Sequence, residues 1–183
     1  LFMTSYGRVA YQKKDYVLAV NLYGDCMEQW RLSTNNMLNY GESLFHARRQ
    51  EESLAIYERV ASSSDPDPLV FNNMGMALAS MGQYPEAIKY CRHALELDST
   101  YHFAWDSLGF TYLKSGQYGE AISAFLKAIE LKPNFPDAWR HLLHAYDRLG
   151  DAEKLDGAKK WMMDILPKEV EQFERERGRD LVD

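Results

Sequence analysis

The residues best placed to do chemistry are Asp137, His141 and His144. Spacings of four and three put all three on one face of a helix, as metal ligands sometimes stand. A zinc ion would need at least one more ligand from another element, and the sequence names none, so no metal is expected. Arg140 and Arg148 lie in the same run and turn it towards carboxylate recognition. No Gly-rich phosphate loop, nucleophile elbow or Cys-x-x-Cys pair occurs, and no cofactor is expected. The two cysteines, Cys26 and Cys91, are too few for a disulfide framework and read as small buried hydrophobes. These residues argue for a binding protein rather than an enzyme.

Composition narrows the partner. Of 183 residues, 27 are Asp or Glu against 21 Lys or Arg, a net charge of -6. Nucleic-acid binders draw affinity from a basic excess, so no nucleic-acid partner is expected. With 46% of residues hydrophobic the chain can build a real core. No run of about 20 apolar residues exists to span a bilayer. The opening Leu1-Phe2-Met3-Thr4-Ser5 lacks the basic flank and apolar stretch of a secretory signal. It also lacks an initiator Met and a helix cap, so the chain is expected to continue upstream. Its compartment is not legible, with the cytoplasm favoured.

The elements that would position these side chains are announced by a repeat. From Trp105 the chain reads Trp105, Leu108-Gly109, Tyr112, Ala121, Phe125, Ala128 and Pro133. A shift of 34 residues finds the pattern again: Trp139 follows Trp105, while Phe71, Met37 and Met3 precede it, and Pro167 follows Pro133. This W-x-x-L-G-x-x-Y, A-x-x-x-F, P pattern resembles the tetratricopeptide repeat, a helix–turn–helix unit. Five units are expected, at 1–33, 34–67, 68–101, 102–135 and 136–167, with a capping helix over 168–183, all in one domain. The fold class implied is all-α, a right-handed superhelical solenoid of antiparallel helix pairs.

Each station has a mechanical reason. Gly7, Gly41, Gly75 and Gly109 face Ala19, Ser53, Ala87 and Ala121 at the crossing of two helices, where small residues allow close approach. Tyr23, Tyr57, Cys91 and Phe125 fill the space one turn later, and Cys26, Val60, Ala94 and Ala128 meet the next hairpin. Gly82, Gly116 and Gly150 end first helices, and Tyr84 and Tyr118 cover the hairpin ends. The fifth unit departs: Leu143 and Leu155 replace both small residues and Lys159 replaces the large one, so a wider crossing is expected. Beyond it only Val170, Phe173 and Leu181 are available to bury. Ser62 to Pro68 reads as a loop.

In the family resembled, first helices form a concave wall that grips a peptide or protein. By that resemblance the groove candidates are Asn39 and Phe45 in the second unit and Asn73 and Met76 in the third. Phe103, Phe110 and Leu113 follow in the fourth, and Arg140 and His144 in the fifth, with His141 and Arg148 beside them. The middle of this set is apolar, and an exposed apolar strip marks a binding site. Asn39 and Asn73 share a station at which some family members hold a peptide backbone. The two-carboxylate clamp of chaperone-binding members is not reproduced: Thr4, Arg8, Asn39, Leu69 and Asn73 stand at its stations. The expected function is a scaffold that binds a protein segment. The runner-up is the recruiting arm of a larger enzyme or secretion assembly, with the chemistry elsewhere. A third reading is self-association, with Leu1-Phe2-Met3 entering a neighbouring copy's groove.

Overall fold

A computed structural model describes residues 2–29, 32–62 and 67–180, and every regular element among them is an α-helix. The chain divides into two compact units, Leu1–Leu97 and Asp98–Asp183. Three places expected above lie outside the described residues: Leu1, the loop at 63–66, and Leu181.

The first unit holds α1 (Phe2–Gln12), α2 (Tyr16–Gln29), α3 (Thr34–His46), α4 (Gln50–Ala61), α5 (Pro68–Ser80) and α6 (Tyr84–Leu97). Consecutive helices pair, and the first helices α1, α3 and α5 also touch in sequence. Their starts are written locally. The Ser33 side chain accepts from Asn36 N ahead of α3, and Asp67 accepts from Leu69 N at 2.8 Å ahead of α5, with Pro68 in the first turn.

The expected crossings are built as predicted. A Cβ placed on Gly41 would come within 2.6 Å of the Tyr57 ring, and one on Gly75 within 2.6 Å of Cys91 Sγ. Tyr23, Tyr57 and Cys91 are fully buried behind them. Ser53 replaces Ala at no polar cost, because its hydroxyl donates to the Gly41 carbonyl at 2.7 Å. The hairpin turns need a left-handed residue. Gly82 supplies it with φ 77°, but Lys14 and Arg48 hold the same station at φ 59° and 64°.

The second unit holds α7 (His102–Lys114), α8 (Tyr118–Leu131), α9 (Pro136–Leu149), α10 (Ala152–Ile165) and α11 (Pro167–Asp180). The tryptophan station has a reason here. Trp105 Nε1 donates to Ser99 O at 2.9 Å and Trp139 Nε1 to Pro133 O at 2.8 Å, each indole tying down the loop before its helix. Gly116 and Gly150 end α7 and α9 at φ 80° and 79°. A Cβ on Gly109 would meet the Phe125 ring at 2.6 Å.

In the fifth repeat Leu143 and Leu155 are buried, and Lys159 reaches Asp156 at 3.1 Å and Glu174 of α11 at 3.0 Å. The α11 helix packs on both α9 and α10 and buries Val170 and Phe173. Phe173 stands 34 residues after Trp139, so α11 occupies the place of a sixth first helix.

Candidate functional site

Helix α9 carries the residues first singled out, and the structure gives each a separate partner. Asp137 Oδ1 accepts from Arg140 Nη2 at 2.8 Å. His141 Nδ1 lies 2.9 Å from Asp106 Oδ1 on α7, and His144 Nε2 lies 2.8 Å from Glu176 Oε2 on α11. They point three ways, and no cluster of three or more potential metal ligands occurs among the described residues. Arg140 is also shared with Glu169 of α11, Nη1 to Oε2 at 3.4 Å. The cations of α9 that were expected to meet an outside carboxylate thus meet carboxylates of α11.

Glu176 is the pivot of this end. Burial opposes its ionisation, but the Gln172 amide, His144 and the more distant Arg140 outweigh that and hold its carboxyl below the usual glutamate range. Gln172 Nε2 donates to Glu176 Oε1 at 2.8 Å, so both carboxylate oxygens are engaged. Phe173 supports the arrangement, its ring edge-on to His144 at 4.9 Å.

A cavity of about 570 Å³ opens in this unit. One wall comes from Phe110, Leu113 and Lys114 of α7 with Tyr118 of α8. The other comes from Arg140, His141, His144 and Arg148 of α9, and Glu176 closes one side. Phe110 is half-buried, tilted against His141 at 5.3 Å with Lys114 Nζ 5.4 Å from its ring centroid. Phe103 is 43% exposed, 5.3 Å from the Phe135 ring, with Lys132 Nζ 5.5 Å from both rings. An apolar wall facing a hydrogen-bonding one can take a side chain on one side and a polar backbone or carboxylate on the other.

In the first unit the candidates are less open. Phe45 and Met76 are half-buried rather than exposed, so of the apolar candidates only Phe103 stands substantially in solvent. Asn39 Nδ2 donates to Tyr23 Oη at 3.5 Å, and Asn73 hydrogen-bonds the Tyr57 hydroxyl while accepting from Asn72 at 3.3 Å. The asparagine station therefore braces the aromatic that fills its own hairpin. Asn72 Oδ1 beside it is buried without a partner. Tyr11 Oη donates to Glu42 Oε2 at 2.7 Å, and burial together with that carboxylate pushes its phenol upward.

Sequence reasoning missed Lys114, Tyr118 and Glu176 as parts of the cavity. The signal for Glu176 was present: Glu169, Phe173 and Glu176 recur at four and three on α11, one face towards α9.

Comparison with known proteins agrees with this architecture. The family model described as tetratricopeptide repeat matches residues 68–134. The TPR repeat-containing thioredoxin TTL4 of Arabidopsis thaliana is 34% identical over 61 residues, 33% of this chain and 9% of that protein. The chain therefore spans less than a tenth of that relative. Among solved structures, PilW, a widely conserved type IV pilus biogenesis factor, superposes with TM-score 0.80 at 20% identity, over 91% of this chain and 78% of that one. The MamA protein superposes with TM-score 0.67 at 20% identity, over 97% and 93%. At such identities the likeness speaks for the fold. With helix pairs repeating every 34 residues, and the glycine, tryptophan and aromatic stations filled as that repeat requires, the chain belongs to the tetratricopeptide-repeat family.

Proposed function

We propose that this chain holds a segment of another protein against its first helices, and that the cavity between α7, α9 and α11 is a principal contact. A tetratricopeptide array is a protein-interaction scaffold, and the two-sided cavity is the observation that carries the finer reading. Phe110 and Leu113 would take an apolar side chain, and Lys114, Arg140 and His144 the polar end beside it. In the first unit Phe45, Met76, Asn39 and Asn73 would extend the contact. The net charge of -6 favours a protein over a nucleic acid as partner. On this reading the chain performs no reaction of its own.

The runner-up draws on the Arabidopsis relative, in which the matched repeats make up 9% of the whole. A repeat array of this kind can serve as the recruiting arm of a larger enzyme or assembly, with the chemistry in another domain.

The test is affinity capture from native lysate, wild type against Phe110→Glu/Met76→Glu, read by mass spectrometry. Circular dichroism checks that the variant folds. The reading expects at least one protein captured by wild type and lost by the variant. Identical captured sets would move the binding surface away from the first helices.

A further inference from the structure

The repeat register exposes a face that the array is built to cover. Tyr6 and Val9 of α1 hold the stations of Tyr40 and Ser43 in α3, of Met74 and Ala77 in α5, and of Leu142 and Ala145 in α9. Each of those six residues is at most 9% exposed. Tyr6 is 64% exposed and Val9 43%, and Met3, one turn earlier on the same stripe, is 40% exposed. In α3, α5 and α9 the preceding second helix packs on this face: α2 on α3, α4 on α5, α8 on α9. The fit is close, since a Cβ on Gly24 of α2 would lie 3.4 Å from Tyr40 Oη.

A second observation comes from α2. Val17 and Leu18 are 67% and 46% exposed at stations where α4 carries Glu51 and Glu52 and α10 carries Glu153 and Lys154. The first hairpin thus differs from its copies by apolar residues where they are charged. Helix α1 has one charged residue in its eleven, Arg8, and none on the stripe. Two such stripes can meet without like charges opposing each other. The second helices α4, α6, α8 and α10 all carry several charges.

We propose that the open face of α1 is a self-association surface, on which two copies of this chain pack α1 against α1 through Met3, Tyr6 and Val9. The contact continues the packing that joins successive hairpins, with a copy of the chain in place of the preceding helix. A two-fold contact uses the same patch on both partners and closes at two, whereas a head-to-tail contact would grow. This differs from an end entering the groove: the acceptor is α1 itself, and the cavity of the second unit stays open.

Sedimentation equilibrium on the 183-residue chain from about 1 to 300 µM tests it, a range in which a micromolar contact shows both species. The expected result is a monomer–dimer equilibrium in wild type. Tyr6→Glu/Val9→Glu should weaken it at least about tenfold, and Phe110→Glu should leave it unchanged. A wild type that stays monomeric throughout overturns the proposal and leaves the face to another helix. So does a dimer that survives the double substitution, or assembly beyond two. A separate measurement covers a variant that folds badly. Cys26 and Cys91 are buried, so Val9→Cys adds one reactive thiol, and a short bismaleimide should link it into a covalent dimer. Recovery of monomer alone at high concentration counts against the contact.

Discussion

Two glycine-to-alanine substitutions separate close helix packing from helix propensity. Gly109 and Gly157 both sit inside helices, α7 and α10. Replacing glycine by alanine in a helix gains about 1 kcal/mol through propensity, the same at both sites. Their surroundings differ. A Cβ at Gly157 meets nothing within 4 Å, whereas at Gly109 it meets Phe125 Cδ1 and Cε1 at 2.6 Å. Restoring ordinary contact requires the fully buried Phe125 ring to retreat about 0.8 Å into a close-packed core. Overpacking of that kind costs about 1–3 kcal/mol. Gly157→Ala should therefore stabilise by up to about 1 kcal/mol, while Gly109→Ala should be neutral to about 2 kcal/mol destabilising. The difference between them, about 1–3 kcal/mol, is the packing term alone. Urea denaturation followed by helical circular dichroism measures both. Equal stabilities for the two variants, within about 0.5 kcal/mol, would refute the close-crossing argument. Gly109→Ala/Phe125→Leu should recover part of the loss.

Arg48→Gly should raise stability by about 1 kcal/mol, because φ 64° is costly for a residue with a Cβ; an unchanged or lower melting temperature would contradict this. Phe173→Ala should cost about 3–5 kcal/mol in the second unit, since its ring is fully buried; native-state hydrogen exchange should show faster exchange in α9 to α11. Glu176→Gln should lose stability at neutral pH. Because the folded carboxyl is held below its unfolded value, its contribution is present above the usual glutamate pKa of about 4.3 and disappears as pH falls through the lower folded value. The gap between wild type and Glu176→Gln should therefore close under acid, and a gap constant from pH 7 to pH 3 would dismiss the ion-pair account.

The fold was legible because a helical hairpin repeat writes its packing into single stations. Gly41 against Tyr57, Gly109 against Phe125 and the turn glycines needed no structure to place. Where the pattern failed, a different physical solution stands. Lys14 and Arg48 take the left-handed turn without glycine, and Lys159 replaces an aromatic by pairing with Asp156 and Glu174. Phe173 could have been found, since it keeps the 34-residue spacing from Trp139 in a segment that otherwise looks solvated. The site was legible by position and not by state. Asn39, Asn73, Arg140 and His144 were placed on their helices correctly, but sequence periodicity does not show what each side chain bonds to. Asn39 and Asn73 brace tyrosines, and Arg140 and His144 meet carboxylates some 30 residues away on α11. Such pairings depend on side-chain reach between helices, which a 34-residue register leaves free.

Hydrogen–deuterium exchange of the chain with and without a captured partner tests the central claim most directly. The account predicts slowed exchange in the first helices, with α7 and α9 protected around Phe110 and His144. Protection confined to the second helices α8 and α10, with α7 and α9 unchanged, would contradict it.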